Sequence, residues 1–354
     1  MSQQRRAFPG ERLADAVPGA VTSNILSSLA LHGASPPSPA LVQAGLLLGQ
    51  LINAVYNVLA QVVSKDGAHP IVFSLYRDAC AAPVLFLAAW YFDGAVRLPR
   101  QDDVPRVVAQ GFLGVFCNQI LFLYGVKLTN ATVAAIVNLT LPLFAAAIAV
   151  GLGMEPFRSM TGAGIVLAVG GAMFMKAADG VSHGGTSEHA SASGWGMTVV
   201  LVGAFASAVY YVIQKPTLAR YPPVTVTAWE YAVGCAFMAC AAWTWVPAGT
   251  GAMDDGAGGD AWVLTRGAIV ALAFSVIFNS VAKYAITAFC NKHVGVIVLT
   301  VWSTTTPVFT ALLSALFLGT PPRWSYLGML PIVAGTLLVT KSRADAAKEK
   351  EQGG

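Results

Sequence analysis

The chain has 354 residues, of which 56% are hydrophobic and 11% charged, and its formal net charge is +4 at pH 7. A soluble domain averages about 45–50% apolar and about 25% charged residues, so this chain has too few charges to cover a soluble protein of its size. The composition excludes an ordinary soluble protein and indicates an integral membrane protein in contact with the lipid bilayer. Basic residues are spread among the connections rather than gathered in a patch, which argues against nucleic acid as a partner.

The first 40 residues form a distinct polar N-terminal segment. They carry Arg5, Arg6 and Arg12 but lack a compact apolar stretch followed by a small-residue cleavage site, which a signal peptide requires. Serine and arginine also occur in organelle-targeting segments, but Glu11 and Asp15 count against that alternative. We therefore expect residues 1–40 to form a disordered cytosolic tail.

Apolar runs of about the length that crosses a bilayer core of about 30 Å occur ten times along the chain. Each run must be helical, because lipid offers the backbone no hydrogen-bonding partner. The predicted runs are residues 41–63, 70–92, 106–126, 130–152, 160–176, 195–214, 223–246, 263–289, 294–318 and 325–340. The sequence thus predicts an all-α membrane protein with ten transmembrane helices.

The Lys and Arg residues in the connections predict the orientation, because cytosolic connections carry an excess of positive charge. With the N-terminus in the cytosol, 14 of the 21 Lys and Arg residues fall in cytosolic tails or connections, and only five fall in outer ones. Both termini are then cytosolic, including a charged tail at 342–354. We expect the plasma membrane rather than the vacuole or a plastid envelope, and we make no prediction of the oligomeric state.

A long stretch of the first half is repeated in the second half. Tyr124–Gly164 and Tyr284–Met329 share a polar approach, an apolar run with one proline (Pro142, Pro307) and a proline turn. The two prolines are displaced by 165 positions. Each proline removes a helical hydrogen bond, so we predict a hinge at both positions.

The repetition extends backward along the chain. Ile52–Gln61 matches Ala206–Lys215 at a displacement of 154, and Asn118 matches Asn279 at a displacement of 161. Displacements that drift only by loop insertions indicate five helices repeated in order. Because five is odd, the two halves must have opposite orientations in the membrane, which makes them inverted repeats. The predicted repeats are 41–176 and 195–341, joined by a Gly/Ser/His-rich linker at 177–194.

No catalytic or metal-binding arrangement is present in the sequence. All five histidines fall in tails or connections, and the five cysteines fall in apolar runs without CxxC spacing. Motifs such as GxSxG, HExxH and a phosphate-binding glycine loop are absent. We therefore predict that the protein is not an enzyme and requires no metal or cofactor.

Charged residues inside the apolar runs are informative because they are costly in a membrane. Arg77 lies in the second run, in the outer third of the membrane by the predicted topology. Glu230 and Lys283 lie in the seventh and eighth runs, both in the inner third, and we expect them to be neighbours that could pair. Such a pair would either lock or gate the bundle, or its members would contact a charged solute directly.

Polar side chains recur on matching runs of the two halves. Asn53, Tyr56 and Asn57 are spaced along one face of the first run, and Tyr210 and Gln214 repeat that face in the sixth. Hydrogen bonding between helices is the alternative for any single residue, but recurrence in both halves favours a polar cavity. The residues predicted to bind the solute are Asn53, Tyr56, Asn57, Arg77, Asn118, Asn138, Tyr210, Gln214, Glu230, Asn279, Lys283 and Trp302.

Several short stretches resemble a known family. They are Phe122–Thr132, Leu139–Pro142 with Glu155 thirteen residues on, and Val169–Met173, together with Pro70 and Tyr76–Arg77. These residues resemble the drug/metabolite transporter superfamily, in particular its EamA-type members and the plant walls-are-thin-related (WAT1-related) transporters. The resemblance covers roughly residues 41–341 and implies a ten-helix carrier whose relatives move amino acids, auxin and other small organic metabolites. The second half departs from the pattern, since Thr320 stands where Glu155 stands in the first.

The sequence as a whole predicts a carrier of a small organic solute that works by alternating access. No ATP-binding motif is present, so a gradient of solute or protons must drive transport, and Glu230 is the candidate proton carrier if transport is coupled. A non-transporting membrane receptor or scaffold is the alternative, but it would not need inverted repeats with matched polar faces. A membrane enzyme is the third option, disfavoured by the lack of catalytic groups.

Overall fold

The computed structural model describes residues 37–63, 70–129, 131–156, 158–182, 194–246, 262, 264, 266–318 and 324–352. Within these ranges all regular secondary structure is helical, which confirms the prediction of an all-α protein. Each predicted apolar run is mostly helical where it is described, with breaks such as residues 139–140 in the fourth run. The predicted tail at 1–40 and linker at 177–194 lie largely outside the described residues.

Fourteen α-helices occur in the described part of the chain. They are α1 (Pro39–Val63), α2 (Pro70–Asp93), α3 (Val104–Gln110), α4 (Asn118–Leu128), α5 (Ala131–Asn138), α6 (Leu141–Gly151), α7 (Ser159–Ser182), α8 (Gly194–Arg220), α9 (Pro223–Trp245), α10 (Arg266–Phe274), α11 (Lys283–His293), α12 (Val296–Trp302), α13 (Thr306–Leu318) and α14 (Met329–Gln352). A π-helix, Gly111–Cys117, joins α3 to α4, and a second, Ser275–Ala282, joins α10 to α11. Short 3-10 helices occur at Gln101–Asp103, Ser303–Thr305 and Trp324–Gly328.

Eight helical spans in the described residues are long and apolar enough to cross a membrane. They are Pro39–Tyr56, Pro70–Asp93, Gln101–Leu128, Ala134–Gly151, Gly194–Arg220, Pro223–Trp245, Ala268–His293 and Val296–Leu313. The fifth predicted run corresponds to a shorter apolar helix, Ser159–Met175. The tenth corresponds to α14, which begins apolar but continues into a strongly charged end. A count of ten crossings therefore remains a prediction.

The outside of the bundle is apolar, as a lipid-facing surface must be. Val166, Trp243 and Leu330 are 66%, 83% and 71% exposed, and each lies on a helix whose other side is packed. Large exposed apolar side chains occur on most of the long helices. Water would penalise such a surface, whereas hydrocarbon does not. The protein is therefore a multi-pass integral membrane protein.

The helices pack in a pattern that is unchanged when the two halves are exchanged. Helix α1 of the first half packs against α11 and α13 of the second half. The helix that corresponds to α1 in the second half is α8, and it packs against α4 and α6 of the first half. The corresponding helices α2 and α9 pack against each other, as do α7 and α14. A two-fold relation between the halves produces these reciprocal contacts.

Small residues let α7 and α14 approach closely. A Cβ atom on Gly164 would lie 2.8 Å from the Gly335 carbonyl oxygen, and a Cβ on Gly335 would lie 2.5 Å from the Gly164 carbonyl oxygen. Two turns further along, a Cβ on Gly171 would lie 2.8 Å from the Gly328 carbonyl oxygen. No larger residue fits at this crossing, which is how small residues stabilise helix pairs in membranes.

Both predicted proline positions coincide with helix breaks. The helix ends at Asn138 and begins again at α6, whose second residue is Pro142, and the 3-10 helix Ser303–Thr305 precedes Pro307. A threonine hydroxyl near each break donates to the backbone carbonyl three residues before it, and Thr140 donates to the Val137 carbonyl oxygen at 2.7 Å. Thr305 donates to the Trp302 carbonyl oxygen at the same distance. Irregular backbone in lipid needs partners inside the protein, and these hydroxyls donate to carbonyl oxygens next to each break.

Connections on one side of the bundle contact one another. Asp103, before α3, pairs with Arg220 at the end of α8 (2.9 Å), and Glu155, after α6, pairs with Arg343 on α14 (2.6 Å). The side chain of Lys215, on the last turns of α8, donates to the Val294 carbonyl oxygen before α12. We call this end the inner end, because the distribution of basic residues predicts that it faces the cytosol.

Candidate functional site

Arg77 is buried beside an acidic neighbour. Its Nε and Nη2 atoms each lie 3.1 Å from Oδ1 of Asp78, and both residues are buried, at 8% and 0% exposure. The other carboxylate oxygen of Asp78 accepts a hydrogen bond from Gln119 Nε2 on α4 at 3.0 Å. The guanidinium charge is therefore balanced within α2, and the expectation that Arg77 attracts a solute anion is weakened by this pair.

Glu230 lies at the centre of a second buried network, between α8, α9 and α11. Its Oε2 accepts a hydrogen bond from the Tyr210 hydroxyl at 3.0 Å, and its Oε1 accepts one from Gln214 Nε2 at 3.0 Å. Asn291 donates to Gln214 Oε1 at 2.7 Å and so fixes the orientation of that amide. Glu230 is 0% exposed, and its described partners are all neutral. A carboxyl group in this setting can hold or release a proton without breaking an ion pair.

Lys283 belongs to a third network, which joins α11 to α1 and α13. Its Nζ donates to Asn53 Oδ1 at 2.9 Å and lies 5.3 Å from the centre of the Tyr284 ring. Asn53 Nδ2 lies 3.4 Å from the Thr306 hydroxyl, which donates to Gln50 Oε1 at 2.7 Å. These contacts place Lys283 on the predicted polar face of α1.

The possible ion pair between Glu230 and Lys283 is not formed in this structure. Glu230 is bound by Tyr210 and Gln214 on α8, whereas Lys283 is bound by Asn53 on α1. The two residues are on neighbouring helices, but their side chains point to different partners. The rotation of each helix about its own axis decides which partner a side chain faces. The spacing of residues within one helix carries no information about that rotation.

Three tyrosines connect the networks into one central region. Tyr56, Tyr231 and Tyr284 all lie within electrostatic range of the Arg77 guanidinium, and Tyr284 is also within range of Glu230. The rings of Tyr231 and Tyr284 meet edge to face, with centroids 5.1 Å apart. Of the predicted residues, Asn53, Tyr56, Arg77, Tyr210, Gln214, Glu230 and Lys283 thus fall in this region.

The other predicted site residues are less well connected. Trp302 has a buried indole Nε1, and Asn279 a buried Oδ1, that lack a hydrogen-bond partner among the described residues. Asn138 and Asn118 are half-buried, at a helix break and at the end of the first π-helix respectively. The side chain of Asn57 lies outside the described part of the chain.

The two π-helices were not predicted. They occupy matching positions in the halves: the first ends at Cys117, directly before Asn118, and the second contains Asn279. The first lies directly against the Glu230 network, since a Cβ on Gly114 would lie 2.3 Å from Cδ2 of the Tyr210 ring. π-Helical turns are frequent at functional sites because they shift side chains out of α-helical register. Gln119 and Asn291 were missed as well, and their only signal was an amide within an apolar run.

Glu155 forms a separate cluster at the inner end. Besides its ion pair with Arg343, its Oε1 accepts a hydrogen bond from the backbone N–H of Ile297 at 3.4 Å, at the start of α12. A Cβ on Gly295 would lie 2.6 Å from Oε2 of Glu155, so glycine is needed for this approach. Glu155 therefore holds the end of α6 against α12 and α14.

Among the described residues, no group of three or more His, Cys, Asp or Glu side chains could hold a metal ion. The networks of Glu230 and Lys283 each contain a single charge surrounded by amides and hydroxyls, whereas Arg77 and Glu155 form ion pairs. Such an arrangement can bind a solute and exchange a proton.

These features define a class of protein, a polytopic membrane protein with a buried polar centre shared by its two halves. The model of the EamA-like transporter family matches residues 41–176 and 194–341. The chain belongs to the EamA-like transporter family, within the drug/metabolite transporter superfamily.

Several curated relatives are similar over part or most of the chain. A WAT1-related protein of Arabidopsis thaliana is 29% identical over 200 residues, covering 50% of this chain and 52% of the relative. The uncharacterized transporter YdfC of Bacillus subtilis (strain 168) is 24% identical, covering 83% of this chain and 89% of the relative. A probable terminal-alkyne amino-acid exporter of Streptantibioticus cattleyicolor is 28% identical, covering 53% and 64%. The match spans about half the length of the plant relative.

A solved crystal structure, described only as that of a protein, has the same fold. It superposes with a TM-score of 0.67 at 21% identity, covering 86% of this chain and 99% of that chain. The likeness concerns the fold alone.

Proposed function

We propose that the protein carries small organic metabolites, such as amino acids, auxin-like organic acids or related solutes, across the plasma membrane by alternating access. The observation that carries this proposal is the polar centre, which both halves build together. Asn53, Arg77 and Gln119 come from the first half, and Glu230 and Lys283 come from the second. Rocking of one half against the other would open such a centre to each side in turn.

The packing pattern supports inverted five-helix repeats at 41–176 and 195–341 with a linker at 177–194. Asp103 lies after the second helix of the first half, and its partner Arg220 lies after the first helix of the second half. In repeats of the same orientation, these two connections would lie on opposite sides of the membrane. Their ion pair is compatible with inverted repeats, ten crossings and cytosolic termini.

Glu230 is the residue proposed to couple transport to protons. It is fully buried, has no cationic partner among the described residues, and accepts hydrogen bonds from Tyr210 and Gln214. A proton on Glu230 would remove an acceptor from that network and loosen α8 from α9.

The names of the relatives support the proposed class of solute, since one of them is a probable terminal-alkyne amino-acid exporter.

Flux into proteoliposomes tests the proposal directly. Purified full-length protein should carry at least one solute of a panel of amino acids, indole acids and nucleosides, and an imposed pH gradient should accelerate it. Glu230→Gln should reduce that flux at least about tenfold, as expected when a proton-transferring group is lost, while Glu349→Gln, an exposed glutamate on α14, should not. Folded protein that carries no solute of the panel would contradict the carrier function. Gradient-driven flux by Glu230→Gln at the unsubstituted rate would contradict the role of Glu230.

A further inference from the structure

We propose that Lys283, held by Asn53, is the subsite that binds a carboxylate group of the transported solute. The proposal deepens the carrier function proposed above and rests on it. It assigns recognition of the solute's negative charge to Lys283 and not to Arg77.

Lys283 differs in its partners from Arg77 and Arg343, the two arginines with ion pairs inside the bundle. The Arg77 guanidinium is paired with Asp78, and Arg343 is paired with Glu155. Lys283 has no acidic partner among the described residues, and its hydrogen-bond partner there, Asn53 Oδ1, is neutral. An ammonium group that is half-buried inside an apolar helix and has no anion beside it is costly, so its presence in the centre favours an anion that arrives with the solute.

The neighbours of Lys283 fix its position without neutralising it. The Asn53 amide is oriented by Thr306, which in turn is bound to Gln50. These hydrogen bonds point the side-chain oxygen of Asn53 at the ammonium group of Lys283. Two of the three ammonium protons remain for a ligand. A single cation held in this way matches the single negative charge of a carboxylate better than the two charges of a phosphate monoester.

Unused polar atoms in the adjoining helices also indicate a ligand. Trp302 lies one turn before Thr306, and its buried indole N–H has no acceptor among the described residues. Indole N–H groups only donate, and a carboxylate offers about four acceptor sites on two oxygens. The carboxylate can therefore accept from Lys283 while its second oxygen remains available to a neutral donor such as Trp302. An amide of the same shape lacks both the charge and the second acceptor.

Matched acids and amides test the proposal with the full-length protein in proteoliposomes. The probes are phenylacetate with phenylacetamide and indole-3-acetate with indole-3-acetamide, each corrected for leakage into protein-free vesicles. We expect at least one acid to be carried, and its amide to be carried at least about tenfold more slowly, the value of one charge-assisted hydrogen bond. Lys283→Met should remove most of the flux of the acid, and Lys283→Arg should restore part of it. Lys292→Met, on the same helix near its inner end, is the control and should leave the flux unchanged.

Binding of the acid and of its amide can also be measured on the unsubstituted protein. This measurement needs no variant, so a variant that fails to fold cannot affect it. The carried acid should raise the temperature of thermal unfolding in detergent, and its amide should not. Equal transport of acid and amide, or an unchanged acid flux in Lys283→Met, would overturn the proposal. Transport of uncharged nucleosides without transport of any acid would overturn it while leaving the carrier function intact. A folded protein that carries nothing would instead remove the carrier function itself.

Discussion

The buried pair of Arg77 and Asp78 is a structural element whose two charges depend on each other. Both side chains are shielded from water, and Gln119 satisfies the remaining oxygen of Asp78. Removing one partner of a buried ion pair leaves the other charge uncompensated, whereas removing both can be nearly neutral. If the pair is structural, removing Arg77 alone should destabilise the protein and removing both charges should not. An arginine that only binds solute would not give this pattern.

Arg77→Ala should destabilise the protein by about 3–5 kcal/mol, because Asp78 is left buried without a cation. The double variant Arg77→Met/Asp78→Asn should recover most of that loss, since it buries no charge. Thermal unfolding of the purified proteins in detergent measures both effects, and Arg106→Ala, whose ion pair is partly exposed, is the control. A single variant as stable as the unsubstituted protein would show that the pair does not hold α2 in place.

Sequence reasoning could find the polar residues of the centre but not their partners. Polar groups are so costly in lipid that Asn53, Glu230 and Lys283 stand out from composition alone. Their partners depend on the rotation of each helix about its axis and on which helices touch. Lys283 consequently meets Asn53, 230 positions away, and not Glu230. Pairing of this kind is a property of the packed bundle.

At the level of elements, helix breaks were predicted at two prolines, although Pro83 and Pro216 lie inside continuous helices. Pro142 and Pro307 cannot donate a backbone hydrogen bond, and helices are interrupted just before both. The π-helices have no comparable residue signature, because the same side chains can form α-helical or π-helical hydrogen bonds. Their positions are set by tertiary packing, as the contact between Gly114 and the Tyr210 ring illustrates.

The contacts of Glu155 lead to a prediction about the opening of the helices at the inner end. Its ion pair with Arg343 and its bond to the start of α12 hold the inner end closed, so Glu155→Gln should favour a state that is open there. Loss of about 1.4 kcal/mol would change the population of that state tenfold. Labelling of Cys290 measures it, since this buried thiol lies on α11 one turn before the Val294 contact.

The labelling experiment requires a protein in which the other four cysteines are replaced. We expect Cys290 to react with a maleimide faster in Glu155→Gln than in the parent protein. Glu349→Gln removes a comparable but exposed ion pair at the same end and should leave the rate unchanged. An unaltered rate in Glu155→Gln would mean that Glu155 does not hold the inner end closed.

For the whole molecule, the repeated sequence and the packing pattern lead to the same description. Displacements of 154 to 165 positions relate the halves in sequence, and exchanging the halves preserves the main helix contacts. Sequence alone could suggest that an odd number of helices inverts the second half. It could not show which connections meet, because the contact of Asp103 with Arg220 and Tyr221 depends on the assembled bundle.

Inverted repeats make a prediction about sidedness that can be tested residue by residue. Leu98, after α2, and Ala219, at the end of α8, lie at the inner end, whereas Trp262, whose carbonyl oxygen binds Tyr76 near the start of α2, lies at the opposite end. In a protein without its five native cysteines, Leu98→Cys and Ala219→Cys should react with an impermeant maleimide only after the cells are permeabilised. Trp262→Cys should react in intact cells, because α2 and α9 each carry the chain across the membrane between these positions. If Ala219→Cys reacted from the same side as Trp262→Cys, the two halves could not have opposite orientations, and a centre exposed to each side in turn would lose its structural basis.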